Sequence, residues 1–312
     1  MILLHSILGG LNRLLTGNKL SILIYHQVLA EFDPLRPYEV TAEQFDWQMK
    51  LLAEHFTPIS LSEAKQALET NSVPKRAVCV TFDDGYLNNL TVAQPILAKY
   101  KVPATVYVAT GFSQGQSMWN DRVMHLFSDI TTQTLMLEGT RTELGDWAQR
   151  RDLAQKQLMR LKYLPIEERL VAVQALYDEN ELAAPEPVMM NPEQIKQLSE
   201  LDVEIGAHTV NHPILKVLSA EQQQHEINES KAQLEAWTNK PVKHFAYPNG
   251  AYGKDLTDET ISLVEKAGYE TAVVTDWGTC AHGDDLLKLK RFTPWDRTPV
   301  KFHARLVKSR FS

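Results

Sequence analysis

Short apolar runs recur along the chain, and each stops at a polar or glycine-containing turn. Leu20-Ser21-Ile22-Leu23-Ile24-Tyr25, Ala77-Val78-Cys79-Val80, Ala104-Thr105-Val106-Tyr107-Val108, Val203-Glu204-Ile205-Gly206, His244-Phe245-Ala246-Tyr247 and Thr271-Ala272-Val273-Val274-Thr275 read as buried strands, with Leu287 to Phe292 as the last. Helical patterns lie between them. Thr41-Ala42-Glu43-Gln44 has the form of a capping box ahead of a helix that carries Phe45, Met49, Leu51 and Leu52 on one side. Ser60-Leu61-Ser62-Glu63-Ala64 starts a short helix, and Asn88 to Tyr100 is helical in pattern. Asn191-Pro192-Glu193 pairs an N-cap residue with proline at the first helical position. Ser219-Ala220-Glu221-Gln222 opens a long helix to Trp237, and Gly268 stops a helix over Thr257–Ala267. Strands alternating with helices predict a parallel sheet, either an α/β barrel or a doubly wound sheet.

Two stretches depart from this rhythm. From Ser113 to about Pro187 the chain is polar and helix-rich, and it reads as an insertion rather than a separate domain. At the start, Leu4, Ile7, Leu8, Leu11, Leu14 and Leu15 recur at helical spacing. This predicts an amphipathic helix that packs on the body or makes peripheral contact with a membrane. No apolar stretch is long enough to span a bilayer.

Composition narrows the field little. The 312 residues, 44% hydrophobic and 23% charged, suit an ordinary globular protein. The net charge of −7 argues against broad nucleic-acid binding. The basic stretch from Lys288 to Arg310 reads as a solvated helix face with one or two site residues. Two cysteines, Cys79 and Cys280, make neither a disulfide framework nor a thiolate metal site.

The chemistry concentrates at strand ends. The run Ala77–Val80 leads to Asp83-Asp84-Gly85. Two adjacent carboxylates repel, so a buried pair calls for a metal ion or a shared proton; an exposed Asp-Asp-Gly turn is the alternative. Far downstream, His208-Thr209-Val210-Asn211-His212-Pro213 also follows a strand, with its two histidines at metal-ligand spacing. One carboxylate with two imidazoles leaves open positions on a zinc-like ion and frees the second carboxylate to act as a base.

Thr81-Phe82-Asp83-Asp84-Gly85 together with His208–Pro213 resembles the first two motifs of the polysaccharide deacetylases (carbohydrate esterase family 4, the NodB homology domain). The likeness covers roughly Arg76 to the C-terminus. It implies a distorted (β/α) barrel of about seven parallel strands with a helical insertion. It also implies Asp83 as general base, and Asp84, His208 and His212 as ligands of a divalent metal, most commonly Zn2+. On this basis residues 1–75 are expected to supply an N-terminal helix, a first strand and helices packing on the barrel. Residues 76–312 would form the deacetylase domain, with the insertion at about 113–187.

Other motifs match less closely. Phe245-Ala246-Tyr247-Pro248-Asn249-Gly250 resembles the family's Arg-x-Pro-Tyr region, but Ala246 stands where many members carry the arginine that orients the base. Arg291, near the end of the last strand, is the candidate replacement, with an ordinary surface arginine as the alternative. Asn249 stands where a tyrosine often gives the backbone oxyanion donor. The late Leu-x-His motif that houses the general acid is absent, leaving His26, at the end of the first strand, as first candidate and His282 as second. The Tyr25-His26 setting resembles deacetylases acting on poly-N-acetylglucosamine-type polymers. Asp276-Trp277 resembles the fourth motif, and with Tyr247 and Asn249 it is expected to line the substrate site.

The resemblance therefore implies metal-dependent removal of N-acetyl groups from a carbohydrate polymer or lipid-linked sugar. A same-fold amidohydrolase acting on a small non-sugar amide and a catalytically weak carbohydrate-binding homologue are the alternatives. The expected location is the cytoplasm or the inner membrane face, with the cell envelope as alternative.

Overall fold

The computed structural model describes residues 18–311; the expected helix over Leu4–Leu15 lies outside them. Contacts divide the chain into two compact units. The first takes in residues up to Glu31, Tyr38–Gln114 and Met189 onward, and the second Phe32–Pro37 and Gly115–Val188.

Among the described residues of the first unit, seven parallel strands follow one another around a single sheet in chain order. They are β1 (Ser21–Tyr25), β2 (Ala77–Phe82), β3 (Ala104–Val108), β4 (Val203–Ala207), β5 (His244–Ala246), β6 (Thr271–Trp277) and β7 (Leu289–Arg291). The register runs Ser21 to Val78 through Tyr25 to Phe82, then Ala104 to Val203 through Val108 to Ala207. The sheet returns on itself where Leu23 bridges Phe292, with Ile24 N donating to Phe292 O (3.1 Å) and Phe292 N to Ile22 O (3.0 Å). The result is a nearly closed (β/α) barrel. Ser21–Tyr25 is thus a stave of the barrel, not a segment packed on its outside, because it supplies the edge that both β2 and β7 need.

Parallel strands covered on both faces read as continuous apolar runs. Strand alternation nevertheless sorts their side chains. Leu23, Tyr25, Val78, Val80, Phe82, Ala104, Val106, Val108, Ile205 and Phe245 join the main core with the helices. The alternate positions, including Ile22, Cys79, Tyr107, Ala246, Val273 and Leu289, form a smaller interior cluster. Helix α1 (Ala42–His55) starts at a complete Thr41 capping box and sends Phe45, Met49 and Leu52 into the main core. Helix α2 (Leu61–Glu69) instead contributes Leu61, Ala64 and Leu68 to the interior cluster, at the barrel's N-terminal end. The predicted helix after the aspartate pair opens as a π-helical turn over Asn89–Ala93 before α3 (Gln94–Tyr100).

The second unit has a core of its own, built from Leu35, Val123, Phe127, Leu144, Leu161, Val173 and Tyr177 among others. Three helices carry it: α4 (Trp119–Leu126), α5 (Trp147–Leu161) and α6 (Ile166–Asp178). An antiparallel hairpin, Thr134–Leu137 with Thr140–Glu143, joins them. Buried Arg150 organises this unit by donating to the carbonyls of Phe127, Asp129, Ile130, Thr132 and Gly145.

Candidate active site

The functional side chains stand where the barrel strands end. Asp83 continues the inward-facing row of β2 because its N–H still donates to Tyr25 O (2.9 Å), extending the β1–β2 ladder by one step. Arg291, at the end of β7, reaches it from across the closure. Its Nη1 and Nη2 donate to Asp83 Oδ1 (2.7 Å) and Oδ2 (2.8 Å). Its remaining donors reach Thr81 Oγ1 (3.2 Å) and Val274 O (3.2 Å), and the guanidinium is fully buried. Burial alone would raise the Asp83 carboxyl, but Arg291 and then His208 hold it well below the usual carboxylate range. Asp83 is therefore ionised, and its orientation is fixed by a fork that matches both oxygens.

Beside it, Asp84 Oδ1 lies 3.5 Å from His208 Nε2 and 3.4 Å from His212 Nε2. One ligand atom from each of these residues falls within 4.8 Å of the others. His208 Nδ1 is 2.7 Å from Ala246 O, so the ring donates there and its Nε2 lone pair is left facing Asp84. Burial lowers His208 to about 4, keeping the imidazole neutral at neutral pH, the form that ligates. A carboxylate with two imidazoles is a donor set suited to a divalent ion with open positions, so the residues fit the metal that the family resemblance implies. Backbone here is unusual. Asp84, Thr209 and His212 adopt φ of 76°, 66° and 51°, and a β-branched residue such as Thr209 seldom does. Non-glycine residues in this region cluster where a site needs them.

The other expected residues divide. His26 is half-buried; burial would lower it, but the carboxylates of Asp84 and Asp83 outweigh that and raise its pKa. Asn89 Nδ2 holds the His26 carbonyl at 2.8 Å. Trp277 pairs with Arg291 in the β6–β7 register and is 46% exposed at the rim, its ring tilted against that of Phe292. Asp276 accepts from Tyr252 N (2.9 Å), which ties it to the loop after β5. Asn249, with φ 59°, accepts from Thr275 Oγ1 through its carbonyl (2.7 Å). Tyr247, expected to touch substrate, has its side chain buried in the wall instead, with its hydroxyl donating to Leu287 O (3.0 Å). His282 is tied to Leu68 O of α2 (2.7 Å) rather than to the strand-end group. The sequence reading passed over Glu226, whose carboxylate accepts three hydrogen bonds from residues 210–211. It also passed over the Ala246 carbonyl, because a backbone acceptor leaves no mark in residue type.

Ionised Asp83 beside an Asp-His-His cluster, at the C-terminal mouth of a parallel barrel, defines a hydrolase-type site in which one acid is oriented and another can hold a metal. The profile of the polysaccharide deacetylase family matches residues 70–272, and the chain belongs to that family, whose members hydrolyse carbon–nitrogen bonds other than peptide bonds and are generally metal-dependent. YxkH of Bacillus subtilis, whose name also places it among polysaccharide deacetylases, is 25% identical over 275 residues, covering 88% of this chain and 70% of the relative. The poly-β-1,6-N-acetyl-D-glucosamine N-deacetylase of Staphylococcus aureus is 37% identical over 78 residues, 25% of this chain and 27% of that protein. Among solved structures, the Streptococcus pyogenes deacetylase PplD in complex with acetate superposes with a TM-score of 0.64 at 23% identity, over 93% of this chain and 98% of that one, and supports the fold.

Proposed function

We propose that this protein is a metal-dependent de-N-acetylase acting on an N-acetylated glycan, with Asp83 as base and Asp84, His208 and His212 as metal ligands. The observation that carries the reading is the bidentate Arg291–Asp83 pair beside the Asp84–His208–His212 cluster. A Zn2+-class ion held there would supply Lewis acidity and lower the pKa of water at the site.

The chain's own residues account for the rest. Asp83 accepts a proton from the attacking water, and Arg291 keeps the carboxylate ionised and aimed while it does so. His26, raised by the same carboxylates, is the group suited to return a proton to the leaving amine. Trp277 offers an exposed ring face at the rim on which a sugar can stack. The glycan substrate is supported by the family and by the name of the staphylococcal relative.

The test is acetate release from N-acetylglucosamine oligomers, with metal content measured alongside. The wild type is expected to bind about one equivalent of zinc and to release acetate. Asp83→Asn is expected to keep the metal and lose about 10²- to 10⁴-fold in rate. An unchanged rate in Asp83→Asn rules out the base assignment, and a wild type that binds no divalent ion rules out the metal site.

A further inference from the structure

We infer that Glu226 is the positioning residue that sets the geometry of the histidine pair for metal binding. The inference rests on the reading of Asp84, His208 and His212 as an ion site.

The two histidines are joined by Thr209-Val210-Asn211, which must hold Thr209 and His212 at positive φ. Such a segment keeps one shape only if its surroundings over-determine it. Two clamps do so from different elements. Helix α7 (Ala220–Thr238) presents Glu226, 5% exposed, with Oε2 accepting from Val210 N (2.8 Å) and Asn211 N (2.8 Å). Its Oε1 accepts from Asn211 Nδ2 (2.8 Å). From the turn after β3, Thr110 N donates to Thr209 O (3.1 Å) and Gly111 N to Val210 O (2.9 Å). A Cβ at Gly111 would lie 2.9 Å from Val210 O, so only glycine lets this backbone come so close.

Glu226 therefore takes both free N–H groups at the apex of the turn and one side-chain amide, all in charge-assisted bonds. These bonds go to the residues between the two histidines, so it acts through the backbone that links them. Removing it takes the acceptor from three donors in a half-buried place and frees the chord between His208 and His212. Partners that orient ligands in this way are worth about 10- to 100-fold in metal affinity.

The experiment measures zinc affinity by competition with a chromophoric chelator, on the full chain. Wild type, Glu226→Ala, Glu226→Gln, Asn211→Ala and His208→Ala are compared, each with a thermal melt of the metal-free form. Glu226→Ala is expected to bind one ion about 10- to 100-fold more weakly, and Glu226→Gln, which keeps an oxygen for both amides, to recover most of that loss. His208→Ala is expected to lose the ion. Equal affinity in wild type and Glu226→Ala, whatever the melts show, overturns the inference. Absence of binding in the wild type instead sinks the metal site itself. Should Glu226→Ala fail to fold, Asn211→Ala carries the test: it removes one of the three bonds, and an affinity identical to wild type overturns the proposal.

Discussion

Two carboxylates, one buried and one half-buried, face the inside of this barrel from opposite ends, and they are held very differently. Glu204, early in β4, belongs to the N-terminal end. It accepts from Leu61 N (3.0 Å) and Ser62 N (3.3 Å) at the start of α2, and from Thr105 Oγ1 (3.1 Å), with His244 Nε2 3.6 Å away. His244 is itself fixed between Ser62 Oγ (3.1 Å) and Thr271 Oγ1 (2.8 Å). Each of these donors is a helix-start N–H or a short polar side chain pointing at one spot, so the acid is consumed in closing the bottom of the barrel. Asp83, at the other end, is held by a single guanidinium, with imidazoles and a second acid beside it. One network is a plug and the other is a rim. A depressed pKa alone does not distinguish them, because both carboxyls are lowered. What distinguishes them is what stands beside the carboxylate: helix-start amides and a hydroxyl around Glu204, and an Asp84–His208–His212 donor set beside Asp83.

The largest predicted effect that tests this contrast is at Arg291. Arg291→Ala leaves Asp83 buried without its partner and is expected to cost about 3–5 kcal/mol in stability, read by chemical denaturation, together with acetate release. A variant as stable and active as wild type would show that the rim does not depend on this fork. Next comes Glu204→Gln, expected to lose about 1–3 kcal/mol while acetate release at saturating metal stays at the wild-type rate. A selective loss of activity without loss of stability would mean that the plug also serves the chemistry.

Acid titration sharpens the same point. Burial by itself would raise Glu204, but His244, Ser62 and Thr105 bring it from 4.5 down to about 2. A carboxyl lowered in the folded state contributes stability above its unfolded pKa and loses it as pH falls toward the folded value. The advantage of wild type over Glu204→Gln, about 3 kcal/mol at most, is therefore expected at pH 7 and to vanish between pH 4.5 and about 2. A difference that is constant across this window would remove the carboxylate from the account. The smallest effect is at the rim's surface: Trp277→Ala is expected to raise KM about 2- to 10-fold with kcat nearly unchanged, as measured on an N-acetylglucosamine oligomer.

How much of this was legible in the sequence follows from how each feature is encoded. The strands and the Asp-Asp and His-x-x-x-His groups stand together in short stretches, so periodicity and spacing expose them. Arg291 was within reach because it, too, sits at a strand end, although only the closure of β1 on β7 brings it to Asp83. The Glu204 plug was not legible. Its members come from α2, β3, β4, β5 and β6, one residue from most of them, and no local pattern links them. Glu226 was hidden for a different reason: in Glu221-Gln222-Gln223-Gln224-His225-Glu226 it is one polar residue among many, and only the fold decides which of them faces the histidine loop. The hairpin Thr134–Glu143 within a stretch read as helical shows the weakness of a reading that lacks alternation to count.

The closure of the first strand on the last also sets a timetable. Asp83 and Arg291 are 208 residues apart in sequence, and the contacts that seal the barrel link Ile22–Ile24 to Phe292. Contacts of such long range form late, after most of the loop-closure entropy has been spent. A ribosome-bound chain that has exposed the aspartates but not yet β7 carries its acidic pair with no guanidinium to orient it. Competence at the rim thus arrives with the final strand, and it coincides with the step that completes the fold.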